Sequence, residues 1–410
     1  EWTPVKFRYP SIDACVQRLA DVRPIPYRPF KYGPYHVTMG LRSMSWSDWI
    51  EARASLYFSG LDQGHERYYK IKAHRLKIRT GVGSPVRIIS DAANPVVRGG
   101  ALAAVELVHE LAEYLSRRYP GEFTITRHTK RPVVSASASS DATFGDWGWD
   151  DLPPVKTITM TSIGVSFDVP LSVADGERAA ERAMEIAGLL IQDDLALMIE
   201  GNDGKYYFQA GSISLAGFWR MQDKIGMPLD EIHLSGHVPQ YEEKLAMSLE
   251  RFFRKLAVDK PMVRNNYFFQ MTPEDKAGEI DAEELGWADS MMGPEDEYKS
   301  SGGHRSIDKP SGTEAEVDVG LVQMRSERQT VRRLGRSGAV AFTIRTYLTR
   351  VKALGEEAGV AGRLASALRS WPVDVGEYKG QFRGGWHGAV VAYMDGMTQS
   401  PDGEASNSTK

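Results

Sequence analysis

At 410 residues and 45.6 kDa the chain is long enough for one large domain or two ordinary ones, each with a real core. Its 42% hydrophobic and 25% charged content is ordinary for a globular protein, and nothing in a net charge of −4 points to a nucleic-acid binder or a polybasic membrane partner, although local basic clusters exist. The single cysteine, Cys15, excludes an intrachain disulfide and an iron–sulfur cluster ligated wholly by this chain, so if the protein uses electrons they are expected to arrive from a partner.

The first ~45 residues are rich in proline and aromatics (RPIPYRPFKYGPYHVTMGL), which predicts an extended segment wrapped over a core. Because the chain begins at Glu1 rather than Met, a processed or trimmed chain is expected, one from which a targeting segment or membrane anchor could have been removed. An intracellular location is favoured. Helices are expected over Trp46–Tyr69, capped by Ser45 or Ser47, and over Gly99–Tyr119, where Leu102, Val105, Val108, Ala112 and Leu115 form one stripe. Residues 132–156 read as a loop and Ile158–Val169 as a strand. A long helix is expected from Gly176 to Glu200, carrying Asp193 and Asp194 as one solvated carboxylate and one capping group or partner.

From Asn202 the pattern changes to a turn (NDGK), a strand (YYFQAGSISL), two short helical pieces and an amphipathic helix over Gln240–Leu256. Strands follow over Met262–Met271, Val317–Leu334 and Ala339–Thr349, the last rich in β-branched and aromatic residues. The expected architecture is α+β: residues 1–200 wrap and pack on a PAS-like antiparallel core over 201–350, with helices on one face of its sheet. An acidic, glycine-rich insertion over 272–316, a helical extension over 351–397 and a disordered tail over 398–410 complete it. The tail holds the glycosylation-type triplet Asn407-Ser408-Thr409, and Leu364, Leu368 and Trp371 are expected to pack back on the body. A cavity between sheet and helices would suit a flat cofactor.

The candidate chemistry centres on IHLSGHVPQY. His233 and His237 are four apart, as a helical zinc pair requires, but Gly236 and Pro239 interrupt a helix and no HExxH pattern is present. A structural histidine and a single axial imidazole both fit the spacing. Cys15, in the apolar patch IDACVQRL, reads as a structural thiol rather than a heme thiolate. Strand alternation places Arg264, Asn266 and Phe268 on one face of MVRNNYFF. In RSERQTVRRL it places Arg325, Glu327, Gln329 and Val331 on one face, with Ser326, Arg328, Thr330 and Arg332 on the other. So polar a strand reads equally as a solvated edge or as a pocket wall. P-loop, nucleophile-elbow and dinucleotide fingerprints are absent from the sequence.

Three ordered blocks, IHLSGHVPQYEEKL, SLERFFRKL with VDKPMVRNNY, and MRSERQTVRRL with RSGAVAFTIRTYL, resemble the heme-dependent oxidative N-demethylase family, whose fungal branch is called the HRQ family. YRPFKYGPYHVTMGL and LLIQDDLALMI are similar to it as well, so the resemblance spans about residues 20–355. Two departures stand out: SERQT where a His would precede Arg-Gln, and the second histidine in HVP. The resemblance implies heme b in a PAS-like fold with a histidine axial ligand. It also implies O2-dependent oxidation of a small amine or other nitrogen-containing substrate, with electrons from a separate flavin and iron–sulfur reductase. On this reading His233 binds iron, and His237 is the second choice or a propionate anchor. Gln329 and Arg264 hold the cofactor, while Arg264, Glu327, Arg328 and Thr330 form a polar catalytic pocket. The alternatives are a heme-based PAS gas or redox sensor, and a non-redox heme enzyme such as a dehydratase or rearrangement catalyst.

Overall fold

A computed structural model describes residues 2–5, 8–17, 19–22, 27–52, 57–58, 61–62, 64–129, 149–215, 219–271, 317–382 and 385–399. The expected insertion over 272–316, most of the 132–156 loop and all but the first residues of the tail lie outside them. The core is one antiparallel sheet. Its five central strands are β1 (Asp194–Glu200), β2 (Tyr206–Ser212), β3 (Met262–Met271), β4 (Val322–Arg333) and β5 (Val340–Arg350). They pair in the order β2-β1-β5-β4-β3, with Val86–Ile88 added beside β2 and Arg42–Ser43 beside β3. The α+β class expected from the sequence is therefore the one observed.

Strand alternation gives the sheet two faces with different tasks. On the back, Leu195, Leu197 and Ile199 of β1 share a core with α2 (Ala101–Arg118) and α3 (Ala179–Leu190), to which α1 (His65–Ile78) is joined. On the front, Ala196, Met198, Phe208, Val331 and Phe342 pack toward α4 (Met221–Lys224), α5 (Leu229–Ser235) and α6 (Ala246–Lys255). Helices thus cover both faces, not one. Both faces of β1 are apolar, and a strand of that kind is stable only when covered on both sides. The C-terminal helices α7 (Val351–Glu356), α8 (Ala361–Arg369), α9 (Val373–Tyr378) and α10 (Trp386–Gln399) close the far end. There Leu364, Leu368 and Trp371 meet Tyr267, Phe269 and Met324.

Four expectations need correction. The helix predicted over Gly176–Glu200 spans only Ala179–Leu190; the backbone turns extended at Ile191 (φ −130°, ψ 162°) and DLALMIE becomes β1. A doubly buried strand has no period-2 pattern to separate it from a buried helix. Asp193 and Asp194 are consequently buried, not solvated. Asp194 accepts from the Ser214 and Leu215 N–H groups (2.9 and 2.8 Å), and Thr343 donates to Asp193 (3.0 Å). The helix predicted over Trp46–Tyr69 is a single turn, Trp46–Asp48, capped by Ser45, and α1 starts only at His65. Trp49 is fully buried in the α2 core, so burial rather than helical period sets that segment. The strand predicted over Ile158–Val169 is a hairpin, Val155–Met160 with Val165–Asp168, turned where Gly164 takes φ +65°. The boundary drawn at residue 200 falls in the turn joining β1 to β2, so the sheet takes strands from both sides of it. Among the described residues no helix is long and apolar enough to cross a membrane.

His65, at the start of α1, carries a testable pH signature. It is buried with its ring edge-on to Phe123 and Nε2 3.2 Å from Met160 Sδ. Burial, aided by the Arg345 and Lys72 charges, pushes its pKa down to about 3. Between that value and the unfolded value of about 6.5 only the unfolded chain binds the proton, so this contribution is full above pH 6.5 and is lost as pH falls. In His65→Leu the slope of unfolding free energy between pH 6 and 4 should become shallower by about 1.4 kcal/mol per pH unit. Urea melts across that range give the slope; an unchanged one would mean that His65 charges in the fold.

Candidate functional site

The front face and helices α4–α6 enclose a cavity of about 320 Å³. Its walls are mostly apolar: Met198, Phe208 and Phe342 from the sheet, Trp219, Ile232 and Phe252 from the helical side. His233 lines it from the last turn of α5. That helix begins after Pro228 and ends at Gly236, and Lys224 holds its C-terminal end by donating to Ile232 O (3.1 Å) and Ser235 Oγ (2.8 Å). His233 is therefore helical, and the helix stops at Gly236, where the Gly-Pro punctuation placed its interruption.

The ring of His233 is fixed on three sides. It stacks on Tyr241 (4.8 Å, 12°), meets Trp219 edge-on (5.6 Å, 89°) and places Nδ1 2.7 Å from Leu229 O. A carbonyl only accepts, so Nδ1 carries the proton and Nε2 keeps its lone pair. Burial pushes the pKa down to about 4; the Leu229 bond opposes this, and the Arg264 and Lys224 charges add to it. The imidazole is neutral at pH 7, with one nitrogen bound to its own helix and the other available, which is the state a metal ligand requires.

His237 follows α5 in a left-handed conformation (φ 51°) and is not among the residues lining the cavity, whereas its neighbours Val238 and Pro239 are. Gln240 is also left-handed (φ 56°), and α6 is entered through a π-helical turn, Tyr241–Leu245. Such backbone concentrates at functional sites. Here it carries the chain from the His233 ring to the Tyr241 ring stacked on it. Among the described residues no group of three or more His, Cys, Asp or Glu side chains is arranged to hold a metal ion by itself. Cys15 is half-buried, its backbone N–H bonded to Arg118 O at the end of α2, and is not among the lining residues.

Opposite the apolar walls, β3 and β4 form a polar pole. Their register pairs Arg264 with Gln329, Asn266 with Glu327 and Phe268 with Arg325, and all six line the cavity as the alternation predicted. Glu327 accepts from Arg325 Nε (3.3 Å) and Gln329 Nε2 (2.9 Å). Arg264 stands beside this carboxylate without an ion pair among the described residues, and burial lowers its pKa against the pull of Glu327. The other two expected residues are elsewhere. Arg328 faces the back of the sheet, paired with Glu51 (3.2 Å) and donating to Trp49 O (3.2 Å). Thr330, fully buried there, is bonded to Thr343 (2.8 Å). β4 is thus neither a solvated edge nor a one-faced wall: it lies between β3 and β5 with both faces buried.

Sequence reasoning missed Lys379, just past α9. It is buried, lines the cavity, and donates to Tyr267 O (2.5 Å) and Asn266 Oδ1 (3.4 Å). Burial pushes its pKa down to about 7, against the pull of Glu327. Nothing in GEYKGQFRGG marks it, because the contact is made across the edge of β3 from more than a hundred residues away.

A family profile described as haem-dependent oxidative N-demethylase, alpha subunit-like, matches residues 40–391. That span contains the whole sheet, α1–α9 and every residue of the polar pole. The chain belongs to this haem-dependent family of oxidoreductases.

Proposed function

We propose that the cavity holds heme b with His233 on the iron, in a PAS-like fold. In this reading the protein is a monooxygenase that oxidises a small amine or other nitrogen-containing molecule, using O2 and electrons from a separate flavin and iron–sulfur reductase. The observation that carries it is the neutral, oriented His233 ring on the apolar side of a cavity whose other side is polar. The strand order β2-β1-β5-β4-β3, with short helices over the front face, supports the PAS-like assignment.

When bound, heme supplies the redox centre. The chain supplies the rest. Leu229 O and Tyr241 hold the imidazole in one tautomer and one plane. Met198, Phe208, Phe252 and Phe342 exclude water, which strengthens every polar contact at the opposite pole. Glu327 keeps lone pairs free on both oxygens after accepting from Arg325 and Gln329, so it can receive the N–H of a protonated amine and take its proton. Gln329 orients that carboxylate, and Arg264 offers donors to the reacting molecule from the paired position on β3.

The test is a spectrum followed by turnover. Purified protein reconstituted with heme should show a Soret band. With NADPH, a flavin and iron–sulfur reductase and a methylated amine it should consume O2 and release formaldehyde. No Soret band would end the reading. A Soret band without reductase-dependent O2 consumption would leave a heme protein that is a sensor or a non-redox enzyme.

A further inference from the structure

We infer that Arg264 and Lys379 together form a carboxylate-binding site in the cavity wall, open to a heme propionate or to the carboxylate of a substrate. The two cations arrive from separate elements, Arg264 from β3 and Lys379 from the end of α9, and both line the cavity. Arg264 Nε is buried without a hydrogen-bond partner, and no ion pair reaches this guanidinium among the described residues. Lys379 Nζ gives two of its three protons to Tyr267 O and Asn266 Oδ1 and lies 4.8 Å from the Tyr267 ring centre. Its partners are neutral. The neighbouring carboxylate, Glu327, is already shared by Arg325 and Gln329.

Two cations therefore face the cavity, Arg264 half-buried and Lys379 buried, and both draw on the one neighbouring carboxylate, Glu327, that Arg325 also donates to. Three cations around one carboxylate leave positive charge uncompensated away from water, which is costly, and one planar anion bridging Arg264 and Lys379 offsets it. A carboxylate fits: its two oxygens match a guanidinium fork on one side and an ammonium on the other. The apolar remainder of the cavity requires that the rest of the ligand be largely apolar.

The propionate source rests on the heme reading; the substrate source does not. The test uses the full chain as wild type, Arg264→Leu and Lys379→Met, with Arg264→Lys and Lys379→Arg as charge-keeping variants. Each is titrated with heme b and with heme dimethyl ester by absorbance, and as purified with acetate by calorimetry. If the site takes a propionate, the neutral variants bind heme b more than tenfold more weakly than wild type and the dimethyl ester equally well. If it takes a substrate carboxylate, heme b binding is unchanged while acetate binds wild type and both charge-keeping variants but neither neutral variant. Should the neutral variants fail to fold, the charge-keeping pair must hold heme b or acetate within a few-fold of wild type. The proposal is overturned if neutral variants match wild type for both heme b and acetate, or if charge-keeping variants lose both. If wild type binds neither porphyrin the heme reading fails on its own, and the acetate titration decides the site.

Discussion

His233→Ala is expected to abolish heme retention, while His237→Gly leaves the Soret band unchanged. The loss should exceed the roughly 10–100-fold that removal of a mere supporting group costs a metal site, because on the proposed reading the ligand itself goes. The two histidines are four residues apart, and the difference between them is the helix end. His233 sits within α5, where its Nδ1 reaches Leu229 O one turn back and Nε2 is left for a ligand. His237 lies beyond Gly236 with φ 51°, outside the cavity wall. A non-glycine residue held left-handed costs about 1–2 kcal/mol, so glycine at 237 relieves that strain while removing the imidazole. Added imidazole should restore a Soret band to His233→Ala, since the cavity created is the size of the ring removed. Absorbance titration of both variants with heme settles it. Retention in His233→Ala with loss in His237→Gly would transfer the iron to the second histidine.

That pair also marks how far the sequence could be read. The period-2 alternation of MVRNNYFF and RSERQTVRRL put Arg264, Asn266, Glu327 and Gln329 on shared faces, because a pleated strand allows no other arrangement. Which face was the cavity did not follow, and so Arg328 and Thr330 were grouped with residues they stand opposite. The stripe of α6 was legible; its π-helical entry and the left-handed Gln240 were not, because they serve a ring-stacking contact and not a local preference. β1 was misread as helix because it is apolar on both faces, and both are covered. Lys379 carried no local signal. Its character comes from a carbonyl and an amide on β3, contacts that only tertiary structure brings together.

The largest stability loss is expected at a site that touches no ligand. Arg332, on the back of β4, is fully buried, with its guanidinium 4.5 Å from the Trp46 ring centre and 4.4 Å from that of Trp49. Glu110 of α2 is its ion-pair partner and also accepts from Tyr9 of the N-terminal segment. Arg332 Nε and Nη1 are buried without hydrogen bonds among the described residues, so the Glu110 carboxylate and the indole faces do most to compensate the charge. Glu110→Ala would leave a buried guanidinium without its ion-pair partner, with only the more distant Glu106 charge acting on it, a change that costs about 3–5 kcal/mol against a total stability of about 5–15 kcal/mol. Arg332→Met should cost less, because an apolar chain between two indoles needs no counter-ion. The double variant should be more stable than Glu110→Ala alone, which a chemical-denaturation cycle measures directly. A Glu110→Ala loss below about 1 kcal/mol would show that the indoles alone satisfy the charge. Arg332 shares β4 with Glu327 and Gln329 but faces the other way, so the folded fraction of Glu110→Ala should still bind heme like wild type. That separation would show that the back of the sheet holds the N-terminal wrap and the front holds the cofactor, two tasks divided between alternate residues of one strand.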